Sequence, residues 1–342
     1  MRAAFFRRHG DPEVIELGEA PEPAVASGSV VVEVRAAALN HLDLWVRRGI
    51  PGLELQLPHI GGSDVAGIVA EVGPDAGAWT PGDRVIVNPG LSCGACEWCG
   101  RGEESLCRDY RILGEHVAGG FAERVRVPAG NLLLLPEGLA FEEAAAVPLV
   151  FQTAWRALKG RARLEEGETV LVTGGSGGVS TAAVQIGKLL RATVIAVTSG
   201  AENAARLRAL GADEVVDRQT ASFPDEVSAI TGGRGVDVVL DSVGEATWKD
   251  CLRSLARGGR LVTYGATTGP GAALDLRHVF WKQLAVLGST MASRAEFEEV
   301  MGHVFEGRLR AVVADVLALE EARTAHERLE RGDAFGKLVL TP

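Results

Sequence analysis

The hydrophobic and polar positions of the chain follow two different patterns, one before and one after about residue 150. Up to about residue 135, short β-branched runs alternate with Gly and Pro, as in SVVVEVRAAAL, VAGIVAEVG, GDRVIV and FAERVRVP. Short runs of this kind between turn residues are typical of strands. The first part of the chain is therefore predicted to be a compact, β-rich, barrel-like domain.

The second pattern alternates strands with helices. Six strand-like runs stand between stretches of helical character: TVLVT (169–173), TVIAV (193–197), EVV (214–216), VDVVLD, RLVTY and LAVLG. This alternation predicts an α/β domain with a doubly wound, parallel, six-stranded sheet. Two amphipathic stretches and the strand-like GKLVLTP follow, and they are candidates to return to the first domain. We therefore expect a first domain of residues 1–150 and 292–342 and a second of residues 151–291.

A glycine-rich loop separates the first of the six strands from a helix of small apolar residues. Gly175, Gly177 and Ser180 stand there in a G-x-G-x-x-G/A-like frame. In such loops the first glycine makes a tight turn, the second lets the backbone approach a pyrophosphate, and the third position must be small. The amides of Gly178 and Val179 then open the helix and donate to phosphate oxygens. The context favours a dinucleotide site over a plain turn.

The end of the next strand bears on the choice of dinucleotide. An acidic residue there binds the adenosine ribose 2'-hydroxyl of NAD and repels a 2'-phosphate. This strand ends instead in Thr198 and Ser199, and Arg206 follows in the next helix. Hydroxyls, a helix start and an arginine suit a phosphate, so NADP(H) is predicted over NAD(H), with Ser199 and Arg206 as ligands. Ser199 is also a suitable helix cap, and the two roles are compatible.

Four of the five cysteines lie in the segment SCGACEWCGRGEESLC, residues 92–107. Cys93, Cys96, Cys99 and Cys107 have the spacing C-x2-C-x2-C-x7-C, and four thiolates match a closed tetrahedral zinc site. Iron–sulfur clusters also take four cysteines, but the ferredoxin spacings differ. A full shell leaves no position for water or substrate. We therefore predict one structural zinc, which stabilises a lobe that has no core of its own.

Composition excludes several classes of function. The 342-residue chain has a net charge of -10, with acidic and basic residues interspersed, which argues against nucleic acid or an anionic membrane as partner. No apolar run approaches the roughly 18 residues of a membrane span. Clustered cysteines are more typical of metal binding in a reducing compartment than of a disulfide framework. A cytoplasmic enzyme with a small-molecule substrate is expected.

The order of these features, with the phrases HIGGSDVAGIVAEVG, TAWRAL, LGADEVVD, GVDVVLDSVG and GKLVL, resembles the medium-chain dehydrogenase/reductase superfamily over essentially the whole length. The resemblance implies a GroES-like catalytic domain with a zinc lobe at 92–107, and a Rossmann nucleotide domain. It also implies a homodimer or homotetramer, associated through an edge strand such as LAVLGST. Further cofactor contacts implied for the nicotinamide region are Thr153, Val243, Gly265 and Ala266.

One part of the family pattern is missing. Alcohol dehydrogenases of this family hold a second, catalytic zinc through a Cys in the segment matching ALNHLD, a His in GGSDVAG and often a Cys before TAW. This chain has Asn40, Ser63 and Leu149 in those places. Leucine cannot bind a metal, and a hydroxyl or amide oxygen is a poor zinc ligand. A catalytic zinc is therefore not expected, and the chain resembles the zinc-free quinone oxidoreductase and enoyl reductase branches.

Acryloyl-CoA and crotonyl-CoA reductases share the local pattern H-x-x-G-S-D and the asparagine at position 40. Hydride addition to an activated double bond needs positioning and hydrogen bonds to the developing enolate oxygen, not a Lewis acid. In this hypothesis Asn40 donates to the substrate carbonyl, Asp64 orients Asn40 or a water, and His41 shuttles a proton. Each residue also has a structural alternative. Asn40 could hold its own loop, Asp64 could pair with an arginine, and His41 could be a structural histidine.

The leading prediction is thus an NAD(P)H-dependent oxidoreductase that acts on an enone, quinone or enoyl thioester without catalytic zinc. One alternative is a zinc-dependent alcohol dehydrogenase with atypical ligands such as Asp64. The other is a non-enzymatic, crystallin-like nucleotide-binding protein. Zinc content separates the first two, and hydride transfer to any substrate separates both from the third.

Overall fold

A computed structural model of the protein describes residues 1–342. The chain forms two compact units, one of Met1–Val150 with Ala292–Pro342 and the other of Phe151–Met291. No helix in either unit is both long enough and apolar enough to cross a lipid bilayer.

The first 150 residues are mostly strands. The elements are β1 (Arg2–Phe6), β2 (Ile15–Glu19), β3 (Ser29–Ala38), α1 (His41–Arg48), β4 (His59–Ile60), β5 (Asp64–Val72), β6 (Arg84–Val87), β7 (Gly90–Leu91), β8 (Arg111–Ile112), β9 (Arg124–Pro128), β10 (Leu132–Leu134) and α2 (Phe141–Ala145). The longest strand, β3, is buried along nearly its whole length because it pairs with both β5 and β9. This agrees with its valine- and alanine-rich sequence, since such residues pack well on a pleated surface.

The second unit alternates strands and helices. After α3 (Pro148–Trp155), which continues as a π-helix over Arg156–Arg161, the elements are β11 (Thr169–Val172), α4 (Gly178–Leu189), β12 (Thr193–Thr198), α5 (Ala201–Ala209), β13 (Glu214–Asp217), α6 (Phe223–Ile230), β14 (Val236–Asp241), α7 (Trp248–Ser254), β15 (Leu255–Thr263), α8 (Leu276–Lys282) and β16 (Ala285–Gly288). All pairings in this sheet are parallel, and the strand order is β13-β12-β11-β14-β15-β16. The predicted six-stranded, doubly wound sheet is confirmed.

The strand order of this sheet reverses between β11 and β14. Loops leaving the carboxyl ends of these two strands run to opposite faces of the sheet and leave a crevice, which is where ligands bind in open α/β sheets. The fold therefore puts the glycine-rich loop after β11 at a ligand-binding position.

The last 51 residues return to the first unit. They form α9 (Arg294–Phe305), β17 (Val313–Ala318), α10 (Ala322–Arg331) and β18 (Lys337–Thr341). Strand β18 pairs antiparallel with β3 and parallel with β17, which gives the order β10-β6-β5-β3-β18-β17, with β9 also on β3. The last strands of the chain therefore share one sheet with β3, β5, β6, β9 and β10.

Candidate active site and zinc cluster

Three polar residues meet where strands of the first unit begin and end. Asp64 is the first residue of β5 and lies opposite Ala38, the last residue of β3. Strand β18 pairs with β3 so that Val339 lies opposite Ala38, and the N–H of Leu39 donates to the carbonyl of Leu338. The same antiparallel register continues to Lys337 beside Asn40. Residues far apart in sequence are thus brought together by strand pairing.

The side chains of Asn40, Asp64 and Lys337 form one hydrogen-bonded network. The Lys337 Nζ lies 2.5 Å from Asn40 Oδ1 and 2.9 Å from Asp64 Oδ2, and Asn40 Nδ2 donates to the same Asp64 oxygen over 2.9 Å. The other Asp64 oxygen accepts the backbone N–H of Leu149 at 2.8 Å. All three side chains are buried, with residue exposures of 6%, 0% and 4%. The ammonium therefore balances a carboxylate that is shielded from water.

Sequence reasoning paired Asn40 with Asp64 but missed Lys337 as a site residue. A signal for it exists in the phrase GKLVL, because a lysine at the start of an otherwise apolar strand is buried only if it is paired. The partner is not visible in the sequence, since 273 positions separate Lys337 from Asp64.

A second carboxylate, Asp43, supports the backbone of this site. Its oxygens accept the N–H of Asn40 at 2.7 Å and that of Gly62 at 3.0 Å. Asp43 is the third residue of helix α1, and its bond to Asn40 is the return bond of a capping box. Burial raises the pKa of Asp43 to about 6. The carboxylate ties together two loops, one carrying Asn40 and the other carrying Ser63 and Asp64.

The histidines predicted near this site lie outside the network. His41 is exposed, and its ring packs edge-on against Trp45 with centroids 6.1 Å apart. His59 is buried, and its Nε2 lies 2.9 Å from the carbonyl oxygen of Gly114. Burial lowers the pKa of His59. The structure thus joins Asn40 to Asp64 but not to His41.

The donor atoms at this site do not fit a catalytic zinc. The Asn40 oxygen and the Asp64 carboxylate already face the Lys337 ammonium, and Leu149 offers only an N–H. Ser63 Oγ is fully buried and has no hydrogen-bond partner, but a neutral hydroxyl alone does not hold zinc. An open catalytic site needs about three anionic or imidazole ligands. These residues therefore do not form an open, catalytic zinc site.

The cysteine cluster, in contrast, fits zinc well. The four Sγ atoms of Cys93, Cys96, Cys99 and Cys107 lie within 4.8 Å of one another. Three of the separations are 3.5, 3.6 and 3.9 Å. Four sulfurs at tetrahedral corners about 2.3 Å from zinc are about 3.8 Å apart. A backbone N–H from Cys99 lowers the pKa of Cys96 to about 6, which favours the thiolate that zinc requires. The closed shell makes this a structural site.

The glycine-rich loop after β11 needs small residues for two reasons, the conformation of the backbone and close packing. Gly174 has a positive φ of 65°, and its carbonyl accepts the N–H of Gly177 at 3.0 Å, which closes a tight turn. At Gly175 a Cβ would lie 2.7 Å from Leu207 Cδ1 and 2.9 Å from the carbonyl oxygen of Val197, so no side chain fits. Gly175 is thus a central residue of this turn, and its tight packing excludes a larger side chain.

The rest of this loop opens helix α4. Gly177 precedes its first residue, Gly178, and a Cβ there would meet only the carbonyl of Gly174, at 3.4 Å. This side of the loop is open, as an approaching pyrophosphate requires. Ser180 is buried, and its Oγ donates to the carbonyl of Thr173 at 2.8 Å. Ser180 therefore links helix α4 to the end of β11. Val179 is the second residue of the same helix.

The arginine next to Ser199 is not the one that the sequence suggested. Arg206 points along helix α5 and pairs with Glu202 at 2.5 Å. Arg218, which directly follows β13, places its Nε 2.6 Å from Ser199 Oγ. Arg206 stays a predicted counter-charge for a phosphate, and Arg218 is a second candidate, because β13 lies beside β12 and brings its own carboxyl end to the same edge.

Two more loops lie at this edge of the sheet, after β14 and β15. The carbonyl of Val243 accepts the N–H of Thr268 at 2.9 Å, and a Cβ on Gly265 would lie 3.2 Å from Ser242. Buried Asp241 holds the first of these loops through the N–H of Gly244 at 2.9 Å. The two loops therefore pack on each other through backbone contacts that leave no room for larger residues.

The remaining residues expected to bind cofactor also belong to the second unit. Ala266 is exposed in the loop after β15, and Thr153 is buried in α3. Cys251 is buried beside Asp241, and burial raises the pKa of its thiol, so it is not a reactive cysteine.

Comparison with known proteins agrees with this architecture. Residues 26–137 match the alcohol dehydrogenase GroES-like domain family, and residues 178–306 match the zinc-binding dehydrogenase family. The chain is 35% identical to an acryloyl-coenzyme A reductase of Metallosphaera sedula, over 100% of both sequences. It is 33% identical to an NAD-dependent alcohol dehydrogenase of Sulfolobus acidocaldarius, over 99% of both. A crystal structure of an NAD-dependent alcohol dehydrogenase superimposes with a TM-score of 0.97 at 46% identity, over 100% of both chains.

These matches span both units and include the zinc-binding cysteine cluster and the nucleotide-binding sheet. The predicted fold and family are confirmed. The chain belongs to the medium-chain dehydrogenase/reductase superfamily of nicotinamide-dependent oxidoreductases.

Proposed function

We propose that this protein is an NADPH-dependent reductase of carbonyl-activated double bonds, such as those of enones, quinones or enoyl thioesters, and that it works without a catalytic metal. The observation that carries the proposal is the Asn40–Asp64–Lys337 network, because it contains Asn40, which stands in the sequence where alcohol dehydrogenases of the family have a cysteine ligand of the catalytic zinc. A simple alcohol or aldehyde needs a strong electrophile at its oxygen. A conjugated double bond needs only hydrogen bonds to the oxygen that gains charge.

The hydrogen bonds of Asn40 leave one donor for a substrate. An ammonium can only donate and a carboxylate can only accept, so the amide oxygen must face Lys337 and the amide nitrogen must face Asp64. The second N–H of Asn40 has only the carbonyl of Ala38 near it, at 3.5 Å, which is too long for a strong bond. This N–H is the proposed donor to the substrate carbonyl oxygen.

In the proposed reaction, the free N–H of Asn40 stabilises the negative charge that develops on the substrate carbonyl oxygen. The glycine-rich loop with Gly177 and Gly178 would hold NADPH, and the bound cofactor would supply a hydride for the β-carbon of the substrate. The carbon–carbon π electrons then shift toward the carbonyl, and the oxygen becomes an enolate oxygen that Asn40 stabilises through its free N–H. A proton added to the α-carbon completes the reduction. His41, which is exposed, is the proposed carrier of that proton from solvent.

The end of β12 supports NADPH over NADH. Ser199 and Arg218 form a hydroxyl–guanidinium pair there, and no carboxylate ends that strand. A guanidinium next to a hydroxyl suits a 2'-phosphate through charge-assisted hydrogen bonds. Asp217 lies nearby, but one of its oxygens is engaged by the backbone N–H groups of Gly200 and Gln219. We therefore propose Arg218, in place of Arg206, as the counter-charge for the phosphate.

The outer edge of the six-stranded sheet supports self-association into a homodimer or homotetramer. Strand β16 is an edge strand, and Val286 on it is 40% exposed. Next to it, helix α8 exposes Phe280 and Trp281 to 61% and 68%. Exposed apolar patches at a sheet edge are typical of protein–protein contacts. A second copy of the chain is the proposed occupant of this edge.

A substrate panel combined with metal analysis tests the proposal. We expect NADPH oxidation with crotonyl-CoA, acryloyl-CoA, a simple enone or a quinone, about one zinc per chain, and activity that persists in a mild chelator. The competing function, suggested by the 46% identity to an alcohol dehydrogenase structure, is oxidation of alcohols with NAD. Two zinc ions per chain, with alcohol oxidation that the chelator abolishes, would establish that function and refute ours.

A further inference from the structure

Lys337 is placed by an unusual start to strand β18. The preceding residue, Gly336, has a positive φ of 96°, and a Cβ there would lie 2.2 Å from the carbonyl oxygen of Val312. The N–H of Lys337 donates to that same carbonyl at 2.8 Å. Only glycine permits this close turn. The turn starts the strand at Lys337 and fixes the Cα from which its side chain reaches Asn40.

The ammonium of Lys337 makes two hydrogen bonds, and both are with groups of the candidate site. It donates to Asn40 Oδ1 and to Asp64 Oδ2, while Asp64 also accepts from Asn40. The three groups therefore form a closed triangle in which each pair is hydrogen-bonded. The Asn40 side chain has no freedom to flip, because a flipped amide would point its N–H groups at the ammonium and its oxygen at the carboxylate.

The charge of Lys337 also acts through the amide of Asn40. A cation that donates to the amide oxygen draws electrons from the amide group, and hydrogen bonds in such a chain strengthen one another in a shielded site. The free N–H of Asn40 becomes a stronger donor as a result. The developing negative charge on a substrate oxygen would feel this effect more than the neutral ground state does.

We propose that Lys337 is a positioning residue for the donor at this site: it orients Asn40 and polarises its free N–H toward the substrate carbonyl. The inference rests on the proposed function, since it assigns Lys337 a part in the reaction for which Asn40 is the donor. It differs from a structural role for the Lys337–Asp64 ion pair, which would stabilise the fold without changing the reactivity of Asn40.

A kinetic double-mutant cycle tests the inference with the full-length, zinc-loaded protein. Lys337→Met keeps the length of the side chain but removes the charge, and Asn40→Ala removes the proposed donor. We expect Lys337→Met to lower kcat for enoyl substrate about 10- to 100-fold with little change in KM for NADPH, and Lys337→Arg to restore part of the loss. In the Asn40→Ala background, Lys337→Met should lower kcat by less than about threefold, because no donor remains to be polarised.

A stability cycle keeps the result interpretable if Lys337→Met folds poorly. Lys337→Met leaves Asp64 buried without its ammonium, and the added change Asp64→Asn should restore the unfolding midpoint. A restored midpoint, with kcat of Lys337→Met/Asp64→Asn still well below that of Asp64→Asn alone, supports the inference. Multiplicative effects of Lys337→Met and Asn40→Ala on kcat would overturn it and leave only a structural role. A wild-type protein that reduces no activated double bond would instead refute the proposed function, and the inference with it.

Discussion

The cofactor preference offers the sharpest test of the nucleotide site. Two arginines lie near the end of β12, and their replacement should change the affinity for NADPH by different amounts. Arg218 lies 2.6 Å from Ser199 Oγ, whereas Arg206 is paired with Glu202. If the 2'-phosphate of NADPH binds at Ser199, Arg218→Ala removes one charge-assisted hydrogen bond. Such a bond contributes about 1.5–3 kcal/mol. Arg218 is exposed, so the lower half of this range applies, and about 2 kcal/mol corresponds to about a 30-fold loss of NADPH affinity.

The matched control is Arg206→Ala, which removes the same charge from the neighbouring helix. Dissociation constants for NADPH and NADH, measured by fluorescence titration at fixed ionic strength, separate the two. We expect Arg218→Ala to weaken NADPH about 30-fold and NADH less than about twofold, and Arg206→Ala to weaken NADPH less than about threefold. Ser199→Asp should shift the preference toward NADH, because a carboxylate repels the phosphate. A large effect of Arg206→Ala with none from Arg218→Ala would refute this reading of the site.

Four further outcomes follow from particular contacts. Removal of zinc or the change Cys96→Ser should reduce the zinc content to near zero per chain and should also lower the unfolding midpoint. An unchanged midpoint would show that the cluster is not a structural site. Gly62→Ala should destabilise the protein by about 2–5 kcal/mol in urea unfolding, because φ is 95° and a Cβ would lie 2.9 Å from the backbone N of Phe121; a loss under about 1 kcal/mol would contradict this geometry. Asp43 has a pKa raised from 3.8 to about 6, so its protonated form is favoured in the folded state and the protein should lose about 2 kcal/mol as pH rises from 4 to 6. The same pH series with Asp43→Asn should lack that loss. Parallel curves of the free energy of unfolding against pH for the two proteins would contradict the prediction. Trp281→Glu should shift the oligomer toward the monomer in sedimentation analysis, and an unchanged sedimentation coefficient would exclude this edge as the interface.

The sequence predicted the second unit well because local signals define it. Each of its six strands is an apolar run bounded by turns or helix signals, so the pattern alone predicts the alternation, and the parallel sheet follows from the short helical crossovers. The cysteine spacing likewise predicts zinc, since the four ligands lie within 15 residues of one another and their geometry is largely local. Small residues in the glycine-rich loop were predicted, although the positive φ of Gly174 was not.

Long-range pairing decided the rest. Arg218 reaches Ser199 only because β13 lies beside β12, and nothing in the local sequence ranks it above Arg206. Lys337 reaches Asn40 and Asp64 only because β18 pairs with β3 in one register. The sequence by itself determined the fold class, the zinc ligands and the absence of good ligands for a catalytic zinc, because these depend on residue type and local spacing. Only the tertiary structure decided which charged groups face one another, because side-chain partners across a sheet are set by strand order and register, which depend on the packing of the whole domain.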